Sequence, residues 1–158
     1  MTTARHFAFF VAWLAIMGGG YLVAQRFLAA PQVTVTAQGD LRIPRARNGH
    51  FMVQGTVNGR PVEFLVDTGA SSVVVSEAFA REAGLQGGTP TTFQTANGLL
   101  QGRTVRNVPV TVGPLSVSGT TVGVGLSGPG ADRALLGQSF LSRFDVSISA
   151  QEMVIRKR

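Results

Sequence analysis

From Gly49 onward, the chain is divided into short apolar segments separated by residues that favour turns. Phe51–Val57 and Val62–Val66 flank Asn58-Gly59, a pair that accepts positive φ at both positions of a two-residue β-hairpin turn. Further strand-like segments, rich in β-branched residues, are Ser72–Val75, Thr91–Phe93, Val105–Val112, Leu115–Val117, Thr120–Val124, Ala134–Gly137, Val146–Ile148 and Met153–Ile155. Many short strands with regular turns predict a mainly β fold.

Two short helices interrupt these strands. Ser76 is a good N-cap for a helix through Ala83, and Gly84 ends it. Gln138–Phe144 is the second predicted helix. We therefore predict a closed or nearly closed β domain with two short helices over residues 49–158.

The amino-terminal residues have a different character. Phe7–Ala24 is a run of 18 residues without charge, which approaches the length of a membrane-crossing helix. We predict an uncleaved transmembrane anchor within residues 1–30. A cleavable signal peptide is the alternative, although its apolar core is normally shorter than this run. Residues 31–48 are predicted to be a linker with one strand at Val33–Thr36 and a loop at Arg42–Arg47.

Composition excludes several classes of site. The 158 residues contain no cysteine, which excludes disulfides and thiol catalysis. They contain two histidines, too few for a histidine-rich metal site. The net charge of +6 is carried mainly by scattered arginines rather than by a dense basic run, which argues against a nucleic-acid partner. We expect neither a metal nor another cofactor.

The strongest chemical feature is a carboxylate at the end of an apolar strand. Phe64-Leu65-Val66 leads into Asp67, which is followed by Thr68-Gly69-Ala70. An Asx-turn after a strand explains Asp-Thr-Gly without any function. The functional interpretation is that Asp67 is catalytic, with Gly69 allowing a backbone N–H to approach the carboxylate.

The wider context resembles the active-site loop of aspartic proteases, in which two hydrophobic residues precede Asp-Thr-Gly-Ala/Ser. A second element of that family, an apolar pair followed by glycine and a short helix, is matched by Leu135-Leu136-Gly137 and the predicted helix after it. The resemblance covers Gly49–Arg156 and is to the membrane-anchored bacterial retropepsin-like proteases in particular. It implies a single-lobe β domain on the periplasmic side of the inner membrane.

The resemblance also implies a flap and a peptide or protein substrate. Asn97-Gly98, a second hairpin signal, lies between the two matched elements, so Ala96, Asn97, Gly98 and Leu99 are expected to contact a bound peptide. The Thr68 hydroxyl is implied to bond across to the active-site loop of a partner chain.

Peptide hydrolysis without a metal or a covalent intermediate needs an activated water and an acid, which two close carboxylates sharing one proton supply. This chain offers one suitable carboxylate. Asp132 is predicted to lie in a turn, and Asp145 to cap a helix or lie in a turn. The setting of an apolar strand and a glycine is lacking at Asp40, Glu63, Glu77, Glu82 and Glu152. The second carboxylate is therefore expected from another chain of a homodimer with twofold symmetry. The function predicted is an aspartic endopeptidase; the alternative is a membrane-tethered module of the same fold that binds peptides without cutting them.

Three other motifs do not meet the requirements of the sites that they resemble. Gly123–Gly128 matches a dinucleotide fingerprint by letter, but Pro129-Gly130 follows where a helix is needed, so we predict a loop there. Ser127 and Ser139 lack the nucleophile elbow of serine hydrolases. The sugar-kinase and actin-like ATPase loops that also contain Asp-Thr-Gly belong to much longer chains.

Overall fold

A computed structural model describes residues 2–28, 32–95, 98–125 and 133–158. The chain divides into two compact units, Met1–Pro31 and Gln32–Arg158.

The amino-terminal unit is one helix, α1, which spans Thr2–Leu28. Its described side chains between Phe10 and Val23 are exposed, with Ile16 at 72% and Leu22 at 63% of full exposure. Within the described residues, however, no helix combines the length and the apolar character needed to cross a membrane. The prediction of a helix is confirmed, but the prediction that it spans a bilayer is not supported. The three glycines at Gly18–Gly20 contribute no apolar side chain to the run.

The described residues of the carboxy-terminal unit form strands and two short helices. The strands are β1 Thr34–Val35, β2 Leu41–Pro44, β3 Met52–Val57, β4 Arg60–Val66, β5 Val73–Val75, β6 Thr89–Thr95, β7 Gly98–Val112, β8 Leu115–Val124, β9 Arg133–Leu136, β10 Phe144–Ile148 and β11 Glu152–Lys157. The helices are α2 Glu77–Glu82 and α3 Gln138–Leu141. The predicted mainly β fold with short helices is confirmed.

The larger sheet closes into a barrel. Seven strands follow the order β3-β4-β9-β5-β8-β7-β6, and β3 also pairs with β7 through Gly55 and Val112. Most neighbours are antiparallel, but β4 pairs with β9 and β5 pairs with β8 in parallel. A parallel pair brings the carboxyl ends of two strands to the same edge of the sheet. This arrangement places residues that follow β4 and β9 next to each other.

A second sheet has four strands in the order β1-β2-β11-β10. It includes Leu41–Pro44, so the loop predicted at Arg42–Arg47 is wrong in its first part. The reason is burial: Leu41 and Ile43 alternate with Arg42 and are completely buried, which fits a strand with one face on the core. In the sequence, Arg42 and Pro44 obscure the alternation of Leu41 and Ile43 that is typical of a strand.

The core lies inside the barrel and between the two sheets. Its largest completely buried side chains are Phe64, Phe79, Phe140, Leu41, Ile43, Leu115, Leu136, Leu141, Met153 and Ile155. Phe64 comes from the strand that leads to Asp67, and Leu136 comes from its parallel neighbour β9. Because side chains this large cannot leave the core without losing several kcal/mol each, both strands are anchored close to their carboxyl ends.

Local signals set several boundaries. Asn58 and Gly59 have φ of 50° and 80°, as a two-residue turn between β3 and β4 requires. The Ser76 hydroxyl accepts a hydrogen bond from the Phe79 N–H at 3.1 Å and so caps α2. The second helix ends earlier than predicted, at Leu141, because Phe144 starts β10 and its ring packs on Phe140 with centroids 5.0 Å apart.

Candidate active site

Asp67 lies at the end of β4, where the parallel strand β9 ends beside it. Val66 is paired with Leu136, and the Asp67 N–H donates to the Leu136 carbonyl at 3.1 Å. The backbone of Asp67 is thereby tied to a buried strand while its side chain is only half-buried. A fixed backbone with a partly accessible carboxylate is what a catalytic acid or base needs.

The loop after Asp67 folds back on the carboxylate. The Gly69 N–H donates to Asp67 Oδ1 at 2.9 Å, and the Ala70 N–H approaches the Asp67 carbonyl at 3.3 Å. Thr68 and Gly69 are exposed. The bond from the Gly69 N–H to Asp67 Oδ1 closes an Asx-turn. Asp67 as a simple turn residue and Asp67 as a catalytic carboxylate therefore both fit this loop. The bond orients one carboxylate oxygen in either case.

Asp67 differs from the other acidic residues in its charge environment. Every other acidic residue in the described parts of the chain forms an ion pair with an arginine. The pairs are Asp40–Arg156, Glu63–Arg133, Glu77–Arg103, Glu82–Arg60, Asp145–Arg158 and Glu152–Arg42. Asp145, which was predicted to cap a helix or lie in a turn, is instead in β10. Within the described residues, Asp67 is the one acidic group without an ion pair; Asp132 lies outside them.

The Leu135-Leu136-Gly137 element lies directly against the Asp67 loop. Leu136 is completely buried in β9, and Leu135 pairs with both Leu65 and Val74. A Cβ atom added to Gly137 would lie 2.2 Å from the Ser72 carbonyl oxygen and 2.6 Å from that of Ala70. Only glycine lets the chain pass at this distance, so the glycine of the motif is a packing requirement.

The start of α3 holds the other side of the loop. The backbone N–H groups of Gln138 and Ser139 donate to the carbonyls of Ala70 and Ser71, at 2.8 and 3.0 Å. These donors belong to the first turn of a helix, where no helical partner is available to them. The loop carbonyls take that place, so α3 and the Asp67 loop complete each other's hydrogen bonding.

Two side chains that the sequence did not single out for this site also take part. Gln138 Nε2 donates to the Thr68 carbonyl at 2.9 Å. Ser139 Oγ accepts from the Val73 N–H at 2.9 Å and donates to the Thr121 carbonyl at 2.8 Å. In the sequence, Ser139 stands out only as a serine without the nucleophile-elbow pattern. The available signal was the position of two polar residues directly after Leu136-Gly137.

A long hairpin, β6–β7, lies between the two elements of the site in the sequence. It is paired from Thr89 with Thr104 to Thr95 with Gly98. Gly98, predicted as a turn residue, already belongs to β7, and Leu99 is 76% exposed. The other two predicted contact residues, Ala96 and Asn97, lie outside the described residues. The described part of the hairpin therefore presents an exposed apolar side chain near its end.

Phe93, which pairs with Leu100 toward the tip of this hairpin, packs against Gly102 of β7 and Gly123 of β8. A Cβ atom added to Gly102 would lie 2.8 Å from Cε2 of the Phe93 ring. A Cβ atom added to Gly123 would lie 2.9 Å from its Cζ. The same position on Gly123 is 3.4 Å from Ser72 Oγ. Two glycines thus make room for one aromatic ring beside the residues that follow Asp67. The prediction of a loop from Gly123 is wrong for Gly123 and Val124, which belong to β8.

Three comparisons with known proteins bear on this site. Residues 53–143 match the family described as "gag-polyprotein putative aspartyl protease". The crystal structure of a retropepsin-like aspartic protease from Rickettsia conorii is similar to this chain, with a TM-score of 0.63 and 30% identity. That similarity covers 80% of this chain and 96% of the other.

Two curated relatives are similar to this chain in sequence. An uncharacterized protein from Sinorhizobium sp. is 33% identical over 112 residues, and an uncharacterized protein from Rickettsia prowazekii (strain Madrid E) is 32% identical over 114 residues. Each alignment covers 69% of this chain, but 48% and 47% of the respective relatives. The chain thus spans about half the length of the curated relatives that it matches.

Proposed function

Because this chain belongs to the retropepsin-like aspartic protease family, we propose that it is an endopeptidase whose active site combines Asp67 from each of two chains. The observation that carries the proposal is the setting of Asp67. Its backbone is tied to β9, its carboxylate is oriented by the Gly69 N–H, and it forms no ion pair, unlike the other acidic residues that the structure describes.

The proposed chemistry needs two carboxylates with one proton between them. One carboxylate removes a proton from a water molecule, whose oxygen attacks the carbonyl carbon of the scissile peptide bond. The protonated partner donates its proton to the carbonyl oxygen, which gives a neutral tetrahedral intermediate. The first carboxyl then gives the proton it took from water to the nitrogen, and the second carboxylate takes a proton from a hydroxyl of the intermediate as the C–N bond breaks. One water is consumed, one amine and one carboxylic acid are released, and the shared proton is back on the dyad. No cofactor or metal takes part.

A homodimer supplies the second carboxylate. One chain contributes one Asp67, and the exposure of Thr68 and Gly69 leaves that loop accessible to a partner copy. A twofold axis beside the loop would bring two copies of the same carboxylate together, as an isologous interface requires. The Thr68 hydroxyl would bond across the axis, which would keep the two loops in register.

The proposed substrate is a peptide segment in an extended conformation. The β6–β7 hairpin would cover it, with Gly98 and Leu99 among the residues in contact. Closure of a hairpin over the reacting groups excludes bulk water and strengthens electrostatic interactions at the site. Leu99, which is exposed, would be buried by this closure.

We further propose a membrane location for the chain, with the carboxy-terminal unit on the periplasmic side of an inner membrane. Large apolar side chains are exposed along α1, including Phe10, Trp13, Ile16 and Tyr21. A helix that exposes apolar side chains on consecutive turns needs an apolar environment to cover them. A bilayer is the environment that we propose.

Cleavage of a denatured protein by the full-length chain in detergent, at mildly acid pH, tests the protease proposal. Asp67→Asn should abolish most of the cleavage while the circular dichroism spectrum is unchanged, because the amide fills the same space and its oxygen still accepts from Gly69. Asp145→Asn is the matched control, since it changes the same atoms in an exposed ion pair. Wild-type chain that binds peptides without cutting them would support a peptide-binding module instead.

A further inference from the structure

Gln138 is bonded to the Asp67 loop twice. Its side-chain Nε2 donates to the Thr68 carbonyl at 2.9 Å, and its backbone N–H donates to the Ala70 carbonyl at 2.8 Å. These two acceptors flank Gly69, whose own N–H donates to the Asp67 carboxylate. One residue of α3 therefore holds both neighbours of the group that orients the carboxylate.

The two bonds differ in how they depend on the sequence. The backbone bond would be made by any residue that starts α3, because the first N–H groups of a helix need acceptors. The side-chain bond needs a donor on a chain of the length of glutamine. Gln138 is exposed, so this bond adds little to the free energy of folding. Its effect is on the position of the Thr68–Gly69 peptide group.

The carbonyl that Gln138 contacts is part of that same peptide group. The Thr68 carbonyl and the Gly69 N–H belong to one planar unit, so fixing the oxygen also fixes the direction of the N–H. The N–H in turn sets the orientation of the Asp67 carboxylate. The path from the Gln138 amide to the carboxylate thus runs through one rigid group and two hydrogen bonds.

We propose that Gln138 is a positioning residue for Asp67, acting through the peptide group between Thr68 and Gly69. The proposal rests on the protease function proposed above. Gln138 does not touch the reacting atoms. Its role is to keep the Asp67 carboxylate and the exposed Thr68 side chain in the geometry that a second chain must meet.

Two substitutions distinguish the effect of the Gln138 Nε2 donor from the effect of the size of the side chain. Gln138→Met keeps the length of the side chain and removes the donor. Gln138→Glu keeps the shape but donates only when its carboxyl is protonated, which occurs below a pH of about 4.3 for an unperturbed glutamate. Gln54→Met is the matched control, because Gln54 is also an exposed glutamine, lies in β3 away from the Asp67 loop, and donates through Nε2 to Glu63 Oε1 at 3.5 Å.

In peptide cleavage, we expect Gln138→Met to lower kcat about tenfold, the factor that corresponds to one ordinary hydrogen bond, with KM changed by less than about twofold. Gln138→Glu should approach wild-type kcat only at the acid end of the pH profile. As the pH rises, its activity should fall at a lower pH than that of wild type. Gln54→Met should match wild type throughout. Unchanged kcat in Gln138→Met, with wild type active, would overturn the inference.

Hydrogen exchange supplies a readout that does not depend on activity. In the full chain in detergent, the Gly69 amide should exchange several-fold faster in Gln138→Met than in wild type, because its peptide group is no longer held. The amides of β4 and β9 should stay equally protected. If wild type proves inactive but Gly69 exchange rises in this way, the protease proposal fails and the positioning contact stands. Equal Gly69 exchange in both chains would refute the contact.

Discussion

The backbone of Gly137 runs so close to the carbonyl oxygen of Ser72 that a Cβ atom on Gly137 would lie 2.2 Å from it. This approach is where the chain leaving β9 crosses the chain that has just passed Asp67. It also sets the distance over which the Gln138 and Ser139 N–H groups reach the Ala70 and Ser71 carbonyls, 2.8 and 3.0 Å. The position of Asp67 therefore depends on a residue 70 positions further along the chain, which has no side chain.

Gly137→Ala tests this dependence. A methyl group there must displace backbone atoms rather than a flexible side chain, so we expect the free energy of unfolding to fall by about 3 kcal/mol or more. Urea denaturation of the full chain in detergent measures the change. Gly119→Ala is the control, since no atom lies within 4 Å of a Cβ at Gly119, and it should shift stability by about 0.5 kcal/mol or less. Similar stability of both variants would show that the two chain segments separate easily.

Mixing wild-type and Asp67→Asn chains tests the two-chain active site. If each site needs both carboxylates, then only dimers of two wild-type chains are active. With random exchange of subunits, activity should fall as the square of the wild-type fraction. A linear fall would mean that each chain works alone. Mixing wild type with Asp145→Asn controls for the exchange procedure and should leave activity unchanged.

The β6–β7 hairpin should become protected when the site is occupied. A peptide with a tetrahedral hydroxyl-bearing isostere at the scissile position mimics the intermediate, and its binding should close the hairpin over it. Amide exchange at Gly98 and Leu99 should then slow. The Asn58-Gly59 turn serves as an internal comparison, because it is also a hairpin end but is not expected to contact substrate. Protection at both turns would point to a general stabilisation, and protection at neither would refute the flap assignment.

Fractionation tests the proposed membrane location. The full chain should sediment with membranes and resist extraction with carbonate at high pH, while a chain that lacks residues 1–30 should stay in the supernatant. A reporter fused after Arg158 should be active only if it reaches the periplasm. Full-length chain in the supernatant would contradict the membrane proposal, and a reporter active only in the cytoplasm would contradict the orientation.

Local signals predicted much of the fold because they depend on residues close together in the sequence. Asn58-Gly59 specifies its own turn, since both residues accept positive φ. Ser76 caps its own helix through a bond to Phe79, three residues away. The Asp67 loop was equally readable, because an apolar strand, a carboxylate and a glycine follow one another directly. The strand at Leu41–Pro44 was missed because Arg42 and Pro44 obscure the alternation that buries Leu41 and Ile43.

By itself, the sequence determined most of the strands that the structure describes, the Asn58-Gly59 turn and the position of a carboxylate directly after an apolar strand. The tertiary structure alone decided that β4 and β9 run in parallel, that β3 closes the sheet onto β7, and that Gln138 and Ser139 meet the Asp67 loop. The physical reason is the range of the interactions. Backbone propensity and hydrophobic alternation act over a few residues, and alternation fixes which face of a strand is buried but not which strand lies beside it. A polar side chain therefore acquires its hydrogen-bond partner only when distant segments have packed together.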